Sequence, residues 1–157
     1  MGSYSKAIGA GFIATVILSI IMVLKTVMGV MPQMNAIAML TQMAHGMAGM
    51  PASPVVGWVL HFVIGSILWG VLYALLYAKL PGASALPKAL GFSVLAWLLM
   101  MVVVMPMAGQ GIFGLAIGPM ASVATLMLHL IWGVALGMTY RVLTRQSDKG
   151  KGRPIHA

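Results

Sequence analysis

Two histidines interrupt long apolar runs, and each is followed four residues later by glycine: His61-x3-Gly65 and His129-x3-Gly133-x3-Gly137, with Ser66-x3-Gly70 nearly repeating the device. An imidazole inside a membrane is costly when it faces lipid, and small residues let helices approach closely, so stripes carrying both are expected to face the bundle interior. Two readings of the pair stay open. Each histidine can simply hydrogen-bond a neighbouring helix. Alternatively, His61 and His129 form one site in the outer half of the membrane, as axial ligands of a b-type haem or as nitrogen ligands of a soft metal such as Cu(I). Contacts through Gly65, Gly70, Gly133 and Gly137 on the same stripes argue against space for a flat macrocycle.

The chain holds 16 methionines. The run Met39-x3-Met43-x3-Met47, with His45 nearby, offers thioethers that prefer Cu(I), although a methionine stripe also serves as packing or lipid contact. Lys25 lies in the first apolar run near its far end. It either snorkels to the interface or acts with the histidines as a proton-exchanging or anion-attracting group. Asp148 is the single carboxylate and there is no cysteine. Paired carboxylates for acid–base work, oxygen cages for Mg²⁺ or Ca²⁺, and iron–sulfur clusters are therefore excluded. No GxSxG elbow, Walker sequence or HExxH motif occurs. The expectation is a protein that is not an enzyme.

The elements that must position these residues follow from the apolar runs. With 61% hydrophobic residues, the chain reads as all-α and polytopic, with four transmembrane helices in a bundle at about residues 7–28, 55–78, 89–107 and 118–142. A short helix lying on the outer leaflet is expected between the first two, within Pro32–Pro51. Pro81–Pro87 reads as a tight turn. The domain boundary is placed at 143, with residues 144–157 expected to be a disordered basic tail. The first run continues too far for a signal peptide and is read as a retained helix.

Lys6, Lys79, Lys88 and the cluster from Arg141 to Arg153 fall on one side of this arrangement, while Met31–Pro54 and Ala108–Ile117 hold no Lys or Arg. Both termini are therefore expected in the cytoplasm. Trp58, Tyr73, Tyr77 and Tyr140 are read as interfacial anchors. The net charge of +8 is expected to meet anionic lipid headgroups rather than nucleic acid. Packing stripes on more than two helices leave room for a homo-oligomer or a membrane partner.

An internal duplication is suggested by Ala10-Gly11-Phe12 against Leu90-Gly91-Phe92 and by His61/Gly65 against His129/Gly133. Two parallel helix pairs would place the histidines at comparable depth. Four spans, a Met-rich outer connection, Trp58…His61…Gly65, His129…Gly133…Gly137 and a basic tail together resemble small bacterial inner-membrane proteins grouped as a domain of unknown function. The resemblance covers about residues 6–143. It implies the fold and the bacterial inner membrane, and it implies no activity. The function expected is that of a non-enzymatic accessory or small binding protein with a polar site at His61 and His129. The alternatives are a haem b or copper protein using those histidines, and a small proton-coupled transporter subunit that also uses Lys25.

Overall fold

The computed structural model describes residues 2–151, and these are all-helical. Helix α1 spans Gly2–Val27 and α2 spans Ala36–Ala48. Three longer elements follow: α3 (Pro54–Leu76), α4 (Ala85–Met107) and α5 (Met120–Lys151). Local chemistry sets the boundaries. Asn35 accepts a hydrogen bond from the Ala38 N–H at the start of α2, and Gly49 closes that helix in the left-handed conformation. Ser53 caps α3 with Pro54 in its first turn. Between α3 and α4 the chain reverses through Gly82, whose φ of +126° no L side chain adopts readily. This hairpin marks one end of the bundle, and α2 covers the other; we call these the hairpin end and the cap end.

Among the described residues, four helices are long and apolar enough to cross a membrane: Tyr4–Val27, Pro54–Leu76, Ala85–Met107 and Met120–Arg145. Their outward faces carry large aliphatic residues such as Ile20, Val59, Leu95 and Val134. Such a surface suits hydrocarbon, and the chain is a multi-pass membrane protein. The spans lie within a few residues of those expected, and the short helix between the first two is present as α2. Helix α5 extends beyond residue 142, so the segment expected to be disordered from Thr144 begins as helix through Lys151. Residues 152–157 of that tail lie outside the described residues.

Helices α3 and α4 each contain a wide π turn, at Val63–Leu68 and Met100–Val104. Such a turn accommodates an extra residue, which rotates everything beyond it by about 100°. In an unbroken α3, His61 and Tyr73 would stand about 120° apart; the extra residue brings them within about 20° of one stripe. In α4 the same device turns Met101 and Met105 inward, where both are buried. The α4 case has a local cause. Pro106 has no N–H to donate, and its ring conflicts with the carbonyl of Val102, which lies inside the widened turn. Helix α3 has no proline there; its π turn contains Gly65 and Ser66, and the Ser66 hydroxyl is buried without a partner.

Helix α1 packs against α3 and α5, and α5 packs against α4. Toward the hairpin end the core is aromatic. Tyr73, Phe92, Trp132 and Tyr140 are buried there with Ala7, Ala10, Ala85, Ala89 and Leu136. Phe92 lies 5.3 Å from Tyr73 and 5.8 Å from Trp69, centroid to centroid, and Tyr73 lies 5.3 Å from Tyr140. The Tyr73 hydroxyl donates to the Ala85 carbonyl, tying α3 to the start of α4. Tyr73 and Tyr140 were expected as interfacial anchors. They are core residues instead, because the α3 π turn and the stripe Trp132-x3-Leu136-x3-Tyr140 aim them at each other rather than at lipid.

Candidate functional site: the polar half of the bundle

The cap half is built differently, around hydroxyls, indoles and imidazoles. Thr15 and Ser19 are one turn apart on α1 and both buried. In an apolar helix a hydroxyl must find a partner, and Ser19 Oγ donates back to the Thr15 carbonyl at 2.7 Å. The same Oγ lies 3.1 Å from His61 Nε2 on α3. Across α1, the Trp132 indole N–H of α5 donates to Thr15 Oγ1 at 3.2 Å. A parallel link joins α4 to α5: Trp97 Nε1 donates to Thr125 Oγ1 at 3.1 Å. His129, one turn from Thr125, contacts its carbonyl through Nδ1 at 2.8 Å.

These contacts fix how each uncharged imidazole uses its two nitrogens. A carbonyl only accepts, so the single hydroxyl proton of Ser19 is committed to Thr15, and Ser19 Oγ must receive the Nε2–H of His61. By the same logic His129 donates Nδ1–H to Thr125. Among the described residues, His61 Nδ1 and His129 Nε2 are left as lone-pair acceptors with no protein partner, and neither atom is fully enclosed. An imidazole whose N–H is held by the protein and whose other nitrogen is free has the arrangement found in ligating and proton-accepting histidines. No hydrogen bond joins the two rings. Their depths do correspond: Gly65 and Trp132 both meet Thr15, and His61 and His129 each lie about one turn farther toward the cap end.

The glycines bring the helices close enough for these contacts. A methyl group at Gly65 would overlap Thr15, and one at Gly70 would overlap the α1 backbone at Ile8. On the α4–α5 side, a methyl at Gly133 would overlap Ser93, and one at Gly137 would overlap Ala89 and Leu86. Gly11 faces the Gly65 carbonyl, so α1 and α3 meet small residue to small residue. Gly57, which the sequence did not single out, seats α2 on α3 against Ile37 and Thr41.

Lys25 is not brought to the histidines. Its ammonium donates to the carbonyls of Val30, Met31 and Met34 at 3.0, 2.9 and 2.8 Å, using all three protons on the turn that leaves α1. The methionine stripe also lies apart. Helix α2 packs through Ile37, Thr41 and Ala44, whereas Met39 and Met43 are half-buried and Met47 is exposed. His45 is held by the Met50 carbonyl at 2.8 Å. Among the described residues, no group of three or more histidines and carboxylates is gathered as a metal site.

Sequence reasoning found the histidines and glycines but missed Thr15, Ser19, Thr125, Trp97 and Trp132. One signal was present: Thr15 and Ser19 at helical i, i+4 spacing make a polar stripe in an otherwise apolar span. The indoles carried no such signal, because tryptophan in a membrane span is read first as an anchor or as packing.

Residues 1–150 match the model of a family of unknown function (DUF6789). No curated protein and no solved structure matches the chain.

Proposed function

We propose, starting from a chain that belongs to the DUF6789 family of unknown function, that it is a non-enzymatic binding protein of the bacterial inner membrane with both termini in the cytoplasm. Its ligand site is the polar cap half, with His61 and His129 as the contacting residues. The observation that carries this reading is the pair of free acceptor nitrogens, His61 Nδ1 and His129 Nε2, held at one depth by donors spent inside the bundle. An acceptor that meets hydrocarbon without a donor is costly, so a ligand that supplies one is favoured there. The orientation is supported by the connections at the cap end, which carry no Lys or Arg between Met31 and Pro54 or between Ala108 and Ile117. The basic residues of the opposite end suit anionic headgroups.

A second reading has one supporting observation. Imidazoles anchored through N–H are prepared to bind a transition metal, and Met101 Sδ lies 3.9 Å from the Oγ1 of Thr125, whose carbonyl holds His129. Haem fits less well than a bare ion, since Gly65 and Gly133 are already closed against Thr15 and Ser93.

The test is to purify the protein in detergent, record its absorption spectrum and metal content, and measure thermal stability for His61→Ala, His129→Ala and the double variant. A shared ligand makes the double variant lose little beyond either single change. Additive losses with no bound species would overturn the shared site and leave two independent structural histidines. Metal present in the wild type and lost in either variant would select the second reading.

A further inference from the structure

One hydroxyl in the bundle lacks what the others have. Ser19, Thr26, Thr125 and Thr144 each donate to the carbonyl four residues earlier in their own helix, and Ser93 donates to the one three earlier. Ser66 is buried, and among the described residues its Oγ has no partner. The acceptor it would use in a regular helix is the Phe62 carbonyl. The π turn takes that acceptor away. At the start of Val63–Leu68 the Val63 N–H still reaches back four residues to Val59, whereas beyond its end the Trp69 N–H reaches back five, to Ile64. The widened turn thus leaves a buried donor unpaired, and no proline fixes its place as Pro106 does in α4.

An extra residue in a helix can be carried by one turn or by the next, and the packing on either side decides which way it can move. On the hairpin side α3 is locked: Gly70 lies against the α1 backbone at Ile8, the Trp69 ring meets Phe92 edge-on at 5.8 Å, and Tyr73 donates to Ala85. On the cap side the restraints are light as far as Gly57, the seat of α2. Val59 and Val63 are about half exposed, Phe62 leans on the half-exposed Phe12, and His61 is held by its contact with Ser19. Moving the extra residue one turn toward the cap end carries His61–Ile64 on by one place, about 1.5 Å along the axis and about 100° around it. Phe62 then stands opposite Ser19, His61 stands where Leu60 was, and Ser66 gains the Phe62 carbonyl. We propose that the α3 π turn is a two-position switch, presenting His61 to Ser19 and the polar half in the position described here and withdrawing it in the other, where Ser66 is paired. A ligand on His61 Nδ1 binds the first position alone and so holds the turn there. This regulatory meaning rests on the reading of His61 as a ligand-contacting residue; the motion itself does not.

The experiment labels the histidine rings isotopically in the full chain, held in nanodiscs, and follows their nuclear relaxation dispersion, which reports exchange between microseconds and milliseconds. His61 should show exchange, and His129, on the unbroken α5, should not. Ser66→Ala removes the unpaired hydroxyl that favours the second position, so the minor population at His61 should fall about fivefold or more. Leu68→Pro, on the exposed face, pins the turn as Pro106 does: its ring conflicts with the Ile64 carbonyl, which a regular helix would pair with residue 68, and leaves that carbonyl to Trp69. It should silence the exchange while the near-ultraviolet signature of the aromatic half stays unchanged. A wild type with no exchange at His61 would overturn the switch, and so would exchange that survives both substitutions. Equal exchange at His61 and His129 would mean that the whole polar half moves, which also refutes it. If the histidines prove to bind nothing, the exchange at His61 should persist, so failure of the binding reading and failure of the switch are told apart.

Discussion

The two halves of the bundle solve one problem with different chemistry. Toward the hairpin end, Tyr73, Phe92, Trp132 and Tyr140 interlock as rings, and their cohesion is dispersion between large surfaces. Toward the cap end, Thr15, Ser19, His61, Thr125, Trp97 and His129 meet through directed hydrogen bonds. Trp132 belongs to both: its ring lies 6.3 Å from Phe92, and its N–H reaches Thr15. In hydrocarbon, hydrogen bonds between helices average only about 0.6 kcal/mol, whereas truncating a large packed ring costs about 3–5 kcal/mol. The aromatic half should therefore carry the stability, and the polar half is free to be specified for contact with something else.

The sharpest way to break this contrast is Phe92→Ala. It should lower stability by about 4 kcal/mol, measured by denaturant titration in mixed micelles. A cost under about 1 kcal/mol would mean that the aromatic half is not the anchor. Gly133→Leu comes next. It forces overlap with Ser93 and should cost about 3 kcal/mol or abolish folded yield, while Val134→Leu on the exposed face should be neutral. Equal tolerance at both positions would show that α4 and α5 are not in close contact.

Lys25→Met has a smaller and more local effect. It removes three charge-assisted hydrogen bonds, so residues 28–34 should exchange amide hydrogens faster by an amount corresponding to about 2 kcal/mol, with global unfolding little changed. Unchanged exchange there would show that the ammonium does not hold the turn. The smallest effect is a coupling energy: Trp132→Phe combined with Thr15→Val should give about 0.6 kcal/mol of non-additivity in a double-mutant cycle. A coupling above about 2 kcal/mol would make the polar half a main source of stability and erase the distinction drawn here.

What was readable in advance divides along the same line. The four spans, the α2 helix and the small-residue stripes follow from run length and spacing, because lipid demands long apolar helices and close approach demands glycine. The stripe assignments in α3 and α4 were harder. A period of 3.6 fails across a π turn, which is why Met101 and Met105 could not be placed on the same face as Ala96, whereas Tyr73 and Tyr140 read as anchors from their type and their places near span ends. Pro106 announced the second π turn; nothing comparable announced the first. The site was half legible: His61 and His129 stand out by type, but Ser19 and Thr125, which determine which nitrogen each ring leaves free, are ordinary residues in a hydropathy profile. Lys25 reads from sequence as a choice between snorkelling and function, and in the structure its ammonium lies on three carbonyls of the turn that follows α1, which no spacing rule could show.

The Lys25 turn bears on how the chain enters a membrane. Its three acceptors lie within nine residues downstream, so the ammonium's donors can be satisfied by the segment that emerges immediately after it. No later span is required. A lone cation at the end of an apolar span is a liability while the rest of a polytopic chain is still being made, and a contact this local satisfies it early, as a self-contained step of biogenesis.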